Sequence, residues 1–264
     1  MNNLEMKIRE LSEKVVGLEK TEVSTVIGEV VSILDSLNKS LQLNKKDEAV
    51  GRINKYYIDR INQIISGKLQ SPFDELSNLF VMHIIPLESF ENENINHTFD
   101  LAKIKQVSTL KPIYSGNGWS SERNADGLLS YNKISYKQLY RNGVLEVVDK
   151  GLLYNGRLHS GTFEKKIIAD IKESFQILNS LESFGEILIR IKFIGLKNLT
   201  MHVDPERFWD SEKTREGDVL TLPDVFIENE QEITNQMKIA FNALWNMFGY
   251  DRSFSYDENG IFIN

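Results

Sequence analysis

Apolar residues recur every three or four positions through the first 41 residues, and this repeat restricts the N-terminal part of the chain to an α-helix. The stripe is Leu4, Ile8, Leu11, Val15, Leu18, Val26, Val30, Ile33, Leu37 and Leu41, interrupted only by Glu22. Its first five members have the alternating four- and three-residue spacing of a coiled-coil seam. A helix with such a stripe requires a partner surface. Residues 1–48 are therefore predicted to be a helical arm for oligomerisation or partner binding, with a helical hairpin broken near 17–21 as the alternative.

The arm is expected to lead into an α+β domain at 49–264. A second helix is predicted at 47–66 and ended by Gly67, and residues 79–85 form an apolar run typical of a buried strand. Further patterns predict helices at 163–181, capped by Thr162, and at 232–248, and strands at 186–193 and 219–228. The predicted fold class is a coiled-coil-like N-terminal arm followed by a mixed, largely antiparallel sheet with packed helices.

Two turn signals border one β-rich segment. Asn142-Gly143 lies between two strand-like stretches and predicts a tight hairpin, and 124–127 has similar turn chemistry. Functional side chains favour loops on a rigid scaffold, so these turns and a nearby tryptophan are candidates for a recognition surface. The candidates are Trp119, Arg123, Asn124, Asp126, Arg141 and Asn142. The competing interpretation is that Gly127, Asn142 and Gly143 only supply positive φ angles.

Composition excludes several classes of protein. The chain has no cysteine, so a disulfide scaffold, a thiolate nucleophile and a cysteine zinc site are excluded. Its net charge of −7 argues against whole-surface binding to nucleic acid, although a local basic face is still compatible with it. The sequence has no long apolar run and no visible secretion signal, which favours a cytoplasmic protein without membrane partners.

The densest group of metal-ligand residue types follows residue 200. His202 and Asp204 alternate as in a strand, and Glu206 and Asp210 lie close behind, so a metal-dependent hydrolase or nuclease is an alternative function. A solvated loop is the competing interpretation. His83 lies inside an apolar run and is expected to be a hydrogen-bonded core residue. No cofactor is predicted.

Six short motifs resemble, in order, the C-terminal region of bacterial Schlafen/AlbA-type DNA-binding proteins. They are DRINQIISG at 59–67, MHIIPLE at 82–88, RNADGLLSY at 123–131, LYRNGVLE at 139–146, LPDVFIE at 222–228 and LWNMFGY at 244–250. The family's N-terminal domain, which carries its nucleic-acid function, would precede residue 50, where this chain has the helical repeat instead. The resemblance therefore implies a region without a catalytic role and, by analogy, a subunit of a bacterial complex such as an anti-phage defence system.

Three functions follow from these observations. The first is a non-enzymatic interaction or recognition subunit that binds itself or another protein through its N-terminal helix. The second is the metal-dependent hydrolase around His202, and the third is a nucleic-acid sensor with a local basic face.

Overall fold

A computed structural model of the chain describes residues 20–67, 78–91, 110–116, 118–181, 184–196, 199–203, 212–215 and 217–263. The chain divides into two compact units, Met1–Gly51 and Arg52–Asn264. A long N-terminal helix precedes a largely antiparallel sheet with packed helices, which confirms the predicted α+β fold class. No helix among the described residues is both long enough and apolar enough to cross a bilayer.

The first helix, α1, extends without a break over Lys20–Ile65. The sequence predicted a second helix at 47–66 that is separate from the helix of the arm, and this separation is wrong. The polar segment Asn44-Lys45-Lys46 includes no glycine or proline, and its side chains are not buried. It therefore does not interrupt the helix. The helix ends at Gly67 as predicted, in a left-handed conformation with φ of 64°.

The main sheet contains eight strands, and every pairing within it is antiparallel. Its strands are β1 (Leu79–Pro86), β2 (Ser120–Arg123), β3 (Gly127–Tyr131), β4 (Ser135–Tyr140), β5 (Leu145–Asp149), β7 (Ile187–Ile194), β10 (Val219–Thr221) and β11 (Val225–Ile227). Their spatial order is β10-β7-β1-β5-β4-β3-β2, and β11 also pairs with β7. The predicted buried strand is thus β1, which lies between β7 and β5.

Strand β1 is buried along its whole length because both faces of the sheet are covered. Phe80, Met82 and Ile84 belong to the large core on the face covered by α2 (Ser160–Leu181), α3 (Ile233–Gln236) and α4 (Lys238–Met247). Val81 and Ile85 point to the other face, where they pack in two smaller clusters with residues 53–64 of α1. His83 lies between those two clusters, on the α1 face.

A second, three-stranded sheet lies in the order β6-β8-β9. It consists of β6 (Arg157–His159), β8 (Leu199–His202) and β9 (Glu212–Arg215). The pairing of β6 with β8 is parallel and that of β8 with β9 is antiparallel. The helix α2 begins directly after β6, at Ser160, so Thr162 lies within its first turn and is not the predicted cap.

The predicted strand at 219–228 is divided into β10 and β11, both of which pair with β7. Pro223 lies between them and has no N–H group for the ladder, which explains the interruption. After the helical segments at 233–247, Gly249 has φ of 76° and ends the last helix as predicted. Glu164 of α2 holds the C-terminal segment by accepting hydrogen bonds from Trp245 Nε1 (2.7 Å) and Ser253 Oγ (2.8 Å).

Candidate functional site

The described N-terminal part of α1 has an exposed apolar face. Ile27, Val31, Leu34 and Leu41 are between 51% and 58% exposed, although helices of globular proteins normally bury such residues. Val30 and Leu37 are half-buried and widen this face. The predicted assembly residues Leu4, Ile8, Leu11, Val15 and Leu18 lie outside the described residues. Of the predicted stripe, Leu41 belongs to this exposed row, whereas Ile33 is half-buried like Val30 and Leu37.

The structure brings the two predicted turns together. The Arg141 backbone N–H donates to Asp126 O (2.9 Å), and Arg141 Nε donates to Ala125 O (2.7 Å). Asn124 Oδ1 accepts from the backbone N–H groups of Asp126 (3.1 Å) and Gly127 (2.8 Å), as in an Asx turn. Arg123, Asp126 and Arg141 are the exposed charged residues of this surface.

Positive φ angles were predicted for three turn residues, Gly127, Asn142 and Gly143, and the two glycines have them. Gly143 has φ of 84°, and a Cβ atom on Gly127, whose φ is 156°, would lie 1.9 Å from Leu139 O. Asn142 does not have a positive φ, so that part of the prediction is wrong. Its Oδ1 instead accepts from the Val144 N–H (3.2 Å), which stabilises the hairpin between β4 and β5.

Trp119 is not part of the turn surface. It is 40% exposed and precedes β2, whereas Arg123 lies at the other end of that strand. Lys111 Nζ lies 5.9 Å from the centre of its ring, which is within cation–π range. The six predicted recognition residues therefore occupy both ends of edge strand β2, and their role in binding stays a prediction.

A buried polar network lies beneath residues 56–63 of α1, and the sequence analysis did not predict it. At its centre is Glu146 of β5, which is fully buried. Its carboxylate accepts from Arg60 Nη2 (2.7 Å) and Nε (3.0 Å), from Tyr136 Oη (2.9 Å) and from Tyr140 Oη (3.0 Å), and it lies 2.9 Å from His83 Nε2. His83 is thus a hydrogen-bonded core residue, as predicted.

Strand register explains how these polar groups meet. His83 of β1 pairs with Glu146 of β5 on one side and with Arg190 of β7 on the other, and Glu146 pairs in turn with Gln138 of β4. Residues directly opposite one another point to the same face of a sheet. The four side chains therefore form a polar row across the α1 face, between the two apolar clusters.

The network keeps Glu146 ionised. Burial alone would raise the pKa of this carboxyl group, but hydrogen bonds and charges from His83 and Arg60 outweigh burial and lower the pKa to about 2. The same negative charge and burial raise the pKa values of Tyr136 and Tyr140 above their usual range, with burial as the larger cause. These tyrosines therefore remain neutral donors to Glu146.

A second ion pair borders the network at β7. Arg190 donates to Asp224 through Nη2 (2.7 Å) and Nε (3.0 Å), and its guanidinium lies 5.0 Å from the centre of the Tyr57 ring. The Tyr57 ring in turn contacts the His83 ring edge-on at 5.3 Å. This pair is less enclosed than Arg60–Glu146 because the Asp224 side chain is 37% exposed.

Buried charges also lie on the opposite, α2-covered face of the sheet. Lys137 Nζ of β4 donates to Asp170 Oδ1 of α2 (3.0 Å), and both side chains are almost inaccessible. Burial raises the pKa of Asp170 against the opposing charge and hydrogen bond of Lys137. Within the described part of the chain, one buried oxygen of each of Asp149, Asp170 and Glu173 has no hydrogen-bond partner.

Asp149 is expected to make the stability of the fold fall as pH rises from about 4 to 6. Burial raises the pKa of Asp149 from its ordinary value of 3.8 to about 6, against hydrogen bonds from Ser135 and the Leu152 amide. The folded chain therefore binds this proton more tightly than the unfolded chain. Ionising the buried Asp149 therefore costs folding stability. This loss is absent below pH 4, is complete above pH 6 and reaches at most about 3 kcal/mol.

Chemical denaturation of Asp149→Asn at pH 4.5 and 7.5 measures this effect. Asparagine can still accept from the Leu152 N–H, so the variant should be more stable than the parent at pH 7.5 and nearly equal to it at pH 4.5. Asp126→Asn, at an exposed position, is the control and should show no such difference. An equal effect of Asp149→Asn at both pH values would contradict the assignment.

The predicted metal-ligand group lies mostly beyond the described chain. His202 is the last residue of β8, whereas Asp204, Glu206 and Asp210 lie outside the described residues. Among the residues with described positions, no three His, Cys, Asp or Glu side chains are grouped so that they could hold a metal ion.

Comparisons with known proteins identify no relatives: no family profile, curated protein or solved structure matches this chain. The resemblance to the C-terminal region of Schlafen/AlbA-type proteins therefore stays a prediction from short motifs. Two of those motifs, around residues 59–67 and 139–146, contain Arg60, Tyr140 and Glu146 of the buried network. The motifs could have indicated this contact, but no spacing rule links a helix to a hairpin about 80 residues away.

Proposed function

We propose that this chain is a non-enzymatic interaction and recognition subunit that assembles through α1. The observation that supports the proposal is the exposed row Ile27, Val31, Leu34 and Leu41 on that helix. A long helix does not normally leave four large aliphatic side chains in water on one face, and contiguous exposed apolar surface is typical of interaction sites.

The spacing within this row favours a second copy of the chain as the partner. Val31 and Asn38 fall at a positions of a heptad, and Leu34 and Leu41 fall at d positions. In coiled coils, a β-branched residue at a position a with leucine at position d favours a parallel pair of helices. One asparagine at an a position further selects this dimer over larger bundles. In a parallel pair Asn38 faces Asn38, so each amide obtains a hydrogen-bond partner that an unrelated apolar helix would not supply.

The energetics are sufficient for self-association. Burying a side chain of this size contributes about 1.5–3 kcal/mol. A dimer would bury four such residues from each copy. Their summed burial free energy is compared with a cost of about 4–15 kcal/mol for association. The exposed row can therefore stabilise a dimer at micromolar concentration.

Light scattering coupled to size exclusion tests this proposal. The intact chain should have the mass of two copies, and Val31→Asp/Leu34→Asp should have the mass of one copy, because two charges per helix cannot be buried in the seam. Asn38→Val should give a more stable assembly with a broader range of masses, since it removes the polar residue that selects the dimer.

The matched control is Ser32→Asp/Ser36→Asp. It adds the same charge to the same turns of α1 at exposed positions outside the apolar row, and it should remain dimeric. An intact chain that is monomeric throughout the micromolar range, or a control variant that dissociates as readily as the seam variant, would overturn the proposal.

For the recognition role we propose the surface formed by the 123–127 and 141–143 turns. Arg123, Asp126 and Arg141 are its exposed charges, and hydrogen bonds of Arg141 and Asn124 hold the two turns together. A place in a bacterial complex, such as one for anti-phage defence, rests on the family resemblance alone.

A further inference from the structure

Two histidines lie side by side on the small sheet. His159 ends β6 and His202 ends β8, and the two residues are direct partners in the parallel register of these strands. The preceding pair, Leu158 and Met201, is fully buried. Side chains alternate along a strand, so the histidines point to the opposite, outer face. There His159 is exposed and His202 is half-buried, so an ion from solvent can reach both rings.

The spacing of the two rings matches that of imidazoles that share one metal ion. Their centroids are 5.2 Å apart, with an angle of 67° between the ring planes. Zinc binds histidine nitrogen at about 2.0–2.1 Å with tetrahedral geometry, which places two ligated ring centroids about 5 Å apart. The pairing of β6 with β8 places the two histidines opposite each other, so the spacing of their rings does not depend on a bound ion.

We propose that His159 and His202 form a two-histidine site for a divalent transition metal such as Zn²⁺, Ni²⁺ or Co²⁺. Imidazole nitrogen suits these ions, whereas Mg²⁺ and Ca²⁺ prefer oxygen ligands. Among the residues with described positions, no third His, Cys, Asp or Glu side chain joins the two histidines in a metal-binding group. This site is independent of the assembly proposed for α1.

We expect moderate affinity, in the micromolar range. The helix α2 begins at Ser160, directly after His159, and the positive end of its dipole opposes a cation. With two histidine ligands, the site is suited to a regulatory or cross-linking ion. Metal exchange should accordingly be rapid.

Titration of the untagged full chain with Zn²⁺, Ni²⁺ and Co²⁺ tests the site by calorimetry and, for Co²⁺, by visible absorption. One ion should bind per chain, and Mg²⁺ should not compete. His159→Gln and His202→Gln should each weaken binding by about tenfold or more, since each removes one of the two ligands. Ring nitrogen signals of these two histidines should shift together in NMR spectra when zinc is added.

Arg157→Gln is the matched control, because Arg157 is exposed and lies two residues before His159 on the same strand. It should bind the metal at least as tightly as the parent, and circular dichroism should show that all three variants are folded. The proposal is overturned if the parent binds none of the three metals at millimolar concentration. It is equally overturned if the double histidine variant keeps the parent's affinity.

Discussion

Replacing Glu146 with alanine is expected to lower the free energy of unfolding by about 3–5 kcal/mol, the usual cost of breaking a buried ion pair. The carboxylate is fully buried and is the common partner of Arg60, His83, Tyr136 and Tyr140. Removing it leaves a cation and several donors beneath α1 without the carboxylate that they share, although Arg60 still donates to Gln63 Oε1. Chemical denaturation followed by circular dichroism measures the change.

Two further variants distinguish this network from an ordinary ion pair. Glu146→Gln keeps an acceptor but loses the charge, so it should fall between the parent and the alanine variant. Asp224→Ala breaks the Arg190 pair on the same face, but its side chain is 37% exposed, and a loss of no more than about 1 kcal/mol is expected. Equal losses for Glu146→Ala and Asp224→Ala would show that burial does not set the strength of these pairs.

Replacing Lys137 with methionine is expected to cost a similar amount, about 3–5 kcal/mol at neutral pH, because it leaves Asp170 buried without its counter-charge. Methionine is nearly as long as lysine, so little cavity is created. Burial already raises the pKa of Asp170, and loss of the ammonium group should raise it further. The unfolded chain then ionises at a lower pH than the folded chain, so the loss should grow as pH rises and shrink in acid.

Controls for this variant lie in the same hairpin and in the same ion pair. Lys133→Met alters an exposed lysine and should change stability by less than about 0.5 kcal/mol. Lys137→Met/Asp170→Leu removes both charges and should recover most of the lost stability, since an apolar pair of similar volume can replace a buried ion pair. A double variant less stable than Lys137→Met would contradict this account.

The two charge networks occupy opposite faces of neighbouring strands, and this arrangement constrains strand register. A slip of one residue between β1 and β5 would move Glu146 from the α1 face to the α2 face, away from Arg60 and His83. Val147 and Val148, the next two residues of β5, are apolar and would be tolerated on either face. We therefore infer that the polar row helps to select one register, in addition to its effect on stability.

Several elements were predictable because their signals are local. The apolar run at 79–85, the Asn142-Gly143 turn and the helical period at 163–181 each depend on neighbouring residues, and all three are present in the structure. Two predictions failed although the cause is also local. Residues 44–46 are polar but include no helix breaker and remain helical within α1, and Pro223 divides the strand at 219–228.

The candidate sites show the limit of such local signals. The sequence indicated the turn residues Asn124, Asp126 and Arg141, and pairing of β3 with β4 brings them together. It also indicated His202 as a metal ligand, with Asp204 as the nearest partner in the sequence. The structure places His159 beside His202, although His159 is 43 residues earlier in the chain and becomes a neighbour through the pairing of β6 with β8.

By itself, the sequence determined the α+β class, the long N-terminal helix and the central strand, because helical and strand periodicities are properties of consecutive residues. Only the tertiary structure decided which charges are paired. Arg60, His83 and Glu146 come from a helix and two strands, and none of their spacings marks them as partners. Ionic contacts between distant elements depend on how strands align and how helices cover them. Burial then makes those contacts strong, and burial is a property of the folded chain alone.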